Sequence, residues 1–151
     1  MRSIITPKQV VELAFVPEGL VTQTKITLLD IAIAESRYLL PIIGETLYEA
    51  ILAGRYTTLR DEYILPMVAA WTRYVAEPLF AERMGVAYDD YSEADIDARD
   101  MAIVRLRRNA QVLSRRLSDY LNAHCDEHLE YNPVDNPLNH CMIDGGIVQI
   151  F

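Results

Sequence analysis

Two imidazoles four residues apart, His124 and His128, flank Cys125 near the end of a helical stretch, and His140 and Cys141 follow in the C-terminal segment. Imidazoles at i and i+4 share one helix face and can ligate a single metal ion. The chain after His128 has no regular period, so no third ligand acquires a fixed position, and there is no C-x-x-C. A helix end running into irregular chain accounts for the same residues, and neither metal nor cofactor is expected. Carboxylates cluster at Asp89, Asp90, Glu93, Asp95 and Asp97. Their order does not follow the D-x-[DN]-x-[DN]-G loop of a calcium site. An acidic linker feeding a helix N-terminus, where negative charge meets the positive end of the helix dipole, explains them instead.

The arginines carry more information. Arg99, Arg105, Arg107, Arg108, Arg115 and Arg116 place six of the 14 basic residues in eighteen positions. At about 100° per residue, Arg105, Arg108, Arg115 and Arg116 fall on one side of a helix. The apolar seam Ile103, Leu106, Ala110, Leu113, Leu117, Tyr120 and His124 falls on the other. Twelve Arg against two Lys favours guanidinium forks, which pair carboxylates bidentately. A subunit interface is expected, in which Arg99, Arg105, Arg108, Arg115 and Arg116 meet Asp89, Asp90, Glu93, Asp95 and Asp97 of a neighbouring copy. A solvated face with acid partners of its own chain is the plain alternative, and contact with DNA phosphate comes third.

No P-loop, no G-x-G-x-x-G after a strand, no H-E-x-x-H and no G-x-S-x-G is present, and no enzyme is expected. The formal net charge of −8, from 22 acidic and 14 basic residues, disfavours a general nucleic-acid binder. A chain of 151 residues, 51% apolar, fits one domain with a real core. Two cysteines make no disulfide framework, the N-terminus lacks the apolar core of a secretory signal, and no apolar run approaches the roughly 20 residues of a membrane span. The expectation is a soluble protein made in an intracellular compartment.

These side chains need helices to position them. Thr6-Pro7-Lys8-Gln9 is a capping box that opens a helix to about Ala14. Thr22 or Thr24 opens a second, with Ile26, Leu29, Ile33 and Leu40 on its inner face and Ile31, Ala32 and Ala34 broadening it. Pro41 is expected to interrupt it, Gly44 to open the next helix and Gly54 to close that one. A long run from Thr58 to Met84, kinked at Pro66 and Pro78, presents Ile64, Met67, Val68, Trp71, Val75 and Leu79, and Gly85 stops it. Ser92 with Asp95 caps the longest helix, which runs to about His128. Beyond it two Asn-Pro turns and a Gly-Gly leave no helical period, and the final IVQIF suits a short strand, added to a neighbour or packed on its own bundle. There are no internal repeats. The fold class is therefore all-α. A bundle of about four to five helices, with one long C-terminal helix, occupies residues 1–128. An extended tail, residues 129–151, serves as an interaction arm whose contacts are Ile147, Val148, Ile150 and Phe151.

The T-P-x-x-V helix start, the stretch DIAIAESRYLLPIIG and its continuation GETLYEAILAGRY resemble the helical head-to-tail connector (adaptor) proteins of tailed phages. The likeness covers roughly residues 4–85 and is nearest to connector-like proteins of phages of Bacteroides-type hosts. The resemblance implies a non-enzymatic virion component at the neck, made in the host cytoplasm. It would be a ring, commonly of twelve copies, beneath the portal, extending the channel so that DNA is only passing cargo. Self, portal and further neck or tail proteins would be its partners, with no membrane and no catalytic residues. From another class, the alternative is a small helical protein-binding adaptor or regulatory module acting as monomer or dimer.

Overall fold

Thr6, Thr27 and Ser92 each begin a helix in the same way. The hydroxyl accepts the amide three residues on, and the side chain of that third residue (Gln9, Asp30 or Asp95) accepts the cap's own amide. The computed structural model describes residues 2–15, 25–85, 92–144 and 147–150. α1 is Pro7–Ala14 and α2 is Leu28–Ala34. The second helix thus opens at Thr27 rather than at Thr22 or Thr24, which lie outside the described residues. The inner face also differs from the expected one. Leu28 and Leu29 face outward, Leu29 at 61% exposure, while Asp30, Ile31 and Ala34 face in.

α2 does not stop at Pro41. It widens into a π-helical turn, Glu35–Leu39, and continues as α3, Leu40–Leu52. A proline ring clashes with the carbonyl four residues earlier and offers it no donor. Here Leu40, just before the proline, donates instead to the carbonyl of Glu35 five residues back, and the wider turn admits the ring. The real break is Gly44, at φ 75° and ψ 162°, a backbone state essentially reserved for glycine. α3 ends in a Schellman motif: the Arg55 amide meets the Ala50 carbonyl, the Gly54 amide meets that of Ile51, and Gly54 sits at φ 87°.

The same device recurs. After α4, Thr57–Leu59, comes a second π-helical turn, Arg60–Ile64, then α5, Leu65–Ala76, a 3₁₀ turn at Glu77–Leu79 and α6, Phe80–Arg83. Leu65, before Pro66, again donates five residues back, to Arg60. Tyr38-Leu39-Leu40-Pro41 and Tyr63-Ile64-Leu65-Pro66 are thus one local solution used twice, a short recurrence that the sequence reading passes over. α5 is the central helix, with α1, α2 and α7 (Glu93–Ala123) packed on it. Met67, Val68, Ala69 and Ala76 are fully buried, whereas Leu79, expected on the same face, is 42% exposed because the 3₁₀ turn rotates it outward.

The fold is an all-α bundle with one long C-terminal helix. α7 ends at Ala123, short of His128, and Ala110, Leu117 and Leu121 anchor it in the core. Beyond α7 the described residues are not helical apart from a 3₁₀ turn at Pro137–Asn139. Residues up to His140 lie against the body: the fully buried Asn136 donates to Ser118 and Tyr131 at 2.8 Å each, and the Tyr131 hydroxyl donates to Asn122 at 2.6 Å. β1, Cys141–Asp144, and β2, Ile147–Ile150, then pair antiparallel, Cys141 opposite Ile150. The strand at the end of the chain therefore finds its partner within the tail, a third outcome beside the two expected. No helix among the described residues is long and apolar enough to cross a membrane.

Candidate functional site: an arginine-lined cleft beside the long helix

The C-terminal half of α7 forms one wall of a cleft of about 1060 Å³. The first π-helical turn and Pro41 form the opposite wall, and Pro137 and Leu138 close one side. The floor is fixed by packing. Tyr38 stacks on Trp71 with ring centroids 3.6 Å apart, and the Trp71 indole donates to Ser114 at 2.8 Å. Four guanidiniums rim the opening: Arg37 from the π turn and Arg107, Arg108 and Arg115 from α7. Arg115 donates to the Leu138 carbonyl at 3.1 Å. Arg37, Arg107 and Arg108 are exposed and have no ion pair or hydrogen bond among the described residues. In a protein of net charge −8, this is an island of positive charge over an apolar floor. Such a surface recognises carboxylates or other oxyanions carried on an apolar or aromatic body.

The expected interface residues separate into groups. Arg105 and Arg108 are exposed on the outer side of α7. Arg99 is half-buried and donates at 3.2 Å to the carbonyls of Glu77 and Pro78, so it ties the start of α7 to the end of α5. Arg116 lies over the Tyr63 ring at 4.6 Å and makes a long 3.5 Å contact with the Glu62 carbonyl, four residues before Pro66. Asp95 is engaged by its own cap: Ser92 donates from its hydroxyl at 2.6 Å and from its amide at 3.0 Å, holding the carboxyl below the usual range. Glu93 and Asp97 are exposed. Asp89, Asp90 and Phe151 lie outside the described residues, as do the side chains of Ile147, Val148 and Ile150.

Arg37, Tyr38 and Trp71 are the cleft residues that sequence reasoning passes over, since they come from other elements and meet α7 only in the fold. Arg107 belongs to the arginine run but not to the expected interface set, about 80° round the helix from Arg115, and it lines the cleft beside Arg108.

The histidines lie at the far end of α7. Nδ1 of His124 faces the Tyr120 carbonyl and Nδ1 of His128 the His124 carbonyl, both at 2.9 Å. Their ring faces are used in stacking, Tyr120 on His124 at 4.3 Å and Tyr56 beside His128 at 4.8 Å. Cys125 is exposed, and among the described residues no three His, Cys, Asp or Glu side chains converge as a metal site would require.

Two buried acids lie elsewhere. Asp30 is paired bidentately with Arg83 at 2.7 and 2.9 Å. Burial pushes its carboxyl up, but the bonds from Arg83 and Thr27 outweigh burial and hold it below the usual range. Glu35, 3% exposed, has no cation within reach among the described residues and accepts from the Ile4 amide at 2.8 Å and the Tyr48 hydroxyl at 2.7 Å. Burial dominates there and raises its pKa. No family model, curated protein or solved structure matches this chain.

Proposed function

We propose that the protein is a non-enzymatic structural component of a tailed-phage virion, a head-to-tail connector that assembles with copies of itself as a ring beneath the portal. Residues 4–85 carry the resemblance. The observation that carries the reading to assembly is the cleft, whose unpaired Arg37, Arg107 and Arg108 open beside an apolar floor. The same chain exposes Glu93, Asp97 and Asp100, with no ion pair among the described residues. A molecule with 22 acidic residues and a concentrated arginine face is its own best-matched partner. Arginines meeting a neighbour's acids give a contact that salt weakens.

Light scattering of the purified chain, alone and mixed with the portal protein of the same virion, tests this. The expected outcome is entry into a discrete ring, near twelve times 17.2 kDa for the ring alone. Arg108→Glu with Arg115→Glu should reduce that entry while leaving helix content unchanged. A chain that forms no ring by itself and joins none on the portal overturns the reading.

A further inference from the structure

The charges along α7 that the ring reading draws on also stand in an order that reading does not require. Glu93, Asp97, Asp100, Val104, Arg108, Gln111 and Arg115 follow one another at steps of four, three, four, four, three and four, and all are exposed. They form a single stripe, because eleven residues make just over three full turns and the stripe is two such intervals centred on Val104. The buried side of α7 faces α5 through Ala110, Leu117 and Leu121, so no helix among the described residues covers the stripe.

The stripe matches itself when reversed. Four residues before Val104 stands Asp100, and four after it Arg108. Seven before is Asp97 and seven after Gln111, while eleven before is Glu93 and eleven after Arg115. Val104 at the centre is 47% exposed, and Met101 and Val112 beside the stripe are 59% and 65% exposed. A parallel, unshifted pairing sets acid on acid and arginine on arginine. An antiparallel pairing about Val104 sets every charge on its opposite or on an amide.

We infer that two copies of this chain pair antiparallel along α7, two-fold about Val104, with Asp100 on Arg108, Asp97 on Gln111 and Glu93 on Arg115 of the other copy. The contact is about 33 Å long, at 1.5 Å per residue. The acidic first turns of each copy enter the other's cleft, where Arg37 adds a guanidinium from the opposite wall. A two-fold contact closes on itself and builds no ring alone, so this dimer is a state of the free chain that competes with the ring contact for Arg108, Arg115 and the same acids, and the cross-links below report on it whether or not a ring forms.

The test uses the full chain with Cys125→Ser and Cys141→Ser. Adding Val104→Cys should give, on mild oxidation, one covalent species of twice 17.2 kDa. Asp100→Cys with Arg108→Cys should give the same closed dimer without touching the valine, whereas a head-to-tail contact would give a ladder. Asp100→Arg or Arg108→Asp alone should weaken sedimentation-measured dimerisation by about tenfold or more, and both reversals in one chain should restore it. A chain that remains monomeric at high micromolar concentration overturns the proposal, and so does one that associates without either cross-link.

Discussion

The two Tyr-Leu/Ile-Leu-Pro corners begin alike and end differently. Each proline is preceded by a π-helical turn, and each tyrosine finds a ring: Tyr38 stacks on Trp71, and Tyr63 on Tyr120 at 4.1 Å. Three residues after the first proline stands Gly44, at φ 75°, and the helix breaks. Three residues after the second stands Ala69, fully buried, and α5 runs on as the central helix. The proline therefore sets the local widening, and the residue one turn later sets the direction of the chain. The first residues of the two turns diverge as well. Glu35 is buried beside α1, while Arg60 is half-exposed and bonded to Asp61.

The largest test removes the ring under the first corner. Trp71→Ala should cost about 3–5 kcal/mol in chemical denaturation, as for large core aromatics, and should loosen the cleft floor and free Ser114. Exchanging the residues one turn past each proline comes next. Gly44→Ala should cost about 1–3 kcal/mol, since the side chain meets no clash but the backbone state is strained. Ala69→Gly should cost about 1 kcal/mol in helix propensity, with any further loss reporting the missing methyl. If Gly44→Ala is neutral, the break does not depend on glycine and the comparison fails. Tyr63→Leu should cost about 0.5–1.5 kcal/mol, the range of an aromatic pair beyond its area, with the second corner otherwise intact by circular dichroism.

Much of this architecture is legible because helix starts are local. The Thr6 and Ser92 boxes show in three-residue spacing, and the stops at Gly54 and Gly85 show in residue type. The Thr27–Asp30 box obeys the same rule but is hidden among the neighbouring threonines Thr22 and Thr24. Pro41 misleads because the aversion of the preceding residue to α geometry is only a local preference, and it is overridden here: Leu40 keeps helical angles, φ −54° and ψ −41°, while the π turn makes room for the ring. The arginine face is visible on α7, but the cleft is not, because its other wall is Arg37 and Tyr38 and its rim includes Leu138. Nor do the Asn-Pro turns reveal that Asn136 is fully buried against Ser118, since Asn in a turn ordinarily faces water.

The smallest effect is a pH slope confined to the first corner. Burial raises the Glu35 pKa against the opposing bonds from Tyr48, Ile4 and Ile5, so the folded chain keeps a proton that the unfolded chain has already released. Stability should therefore decline as pH rises from the usual glutamate range through the raised value, and then level off. Denaturation midpoints across that window should slope in the wild type and flatten in Glu35→Gln. An unchanged slope would assign it to another group.

The buried Asn136 sets how far the end of the chain can travel. Were residues 129–151 loose and extended, they would reach about 75 Å at roughly 3.3 Å per residue. With the chain fastened to Ser118 and Tyr131 as far as His140, the part that extends beyond is a hairpin whose four-residue strands span about 13 Å. The hairpin thus starts close to the flank where Arg115 holds the Leu138 carbonyl, and its span from that fastening is short.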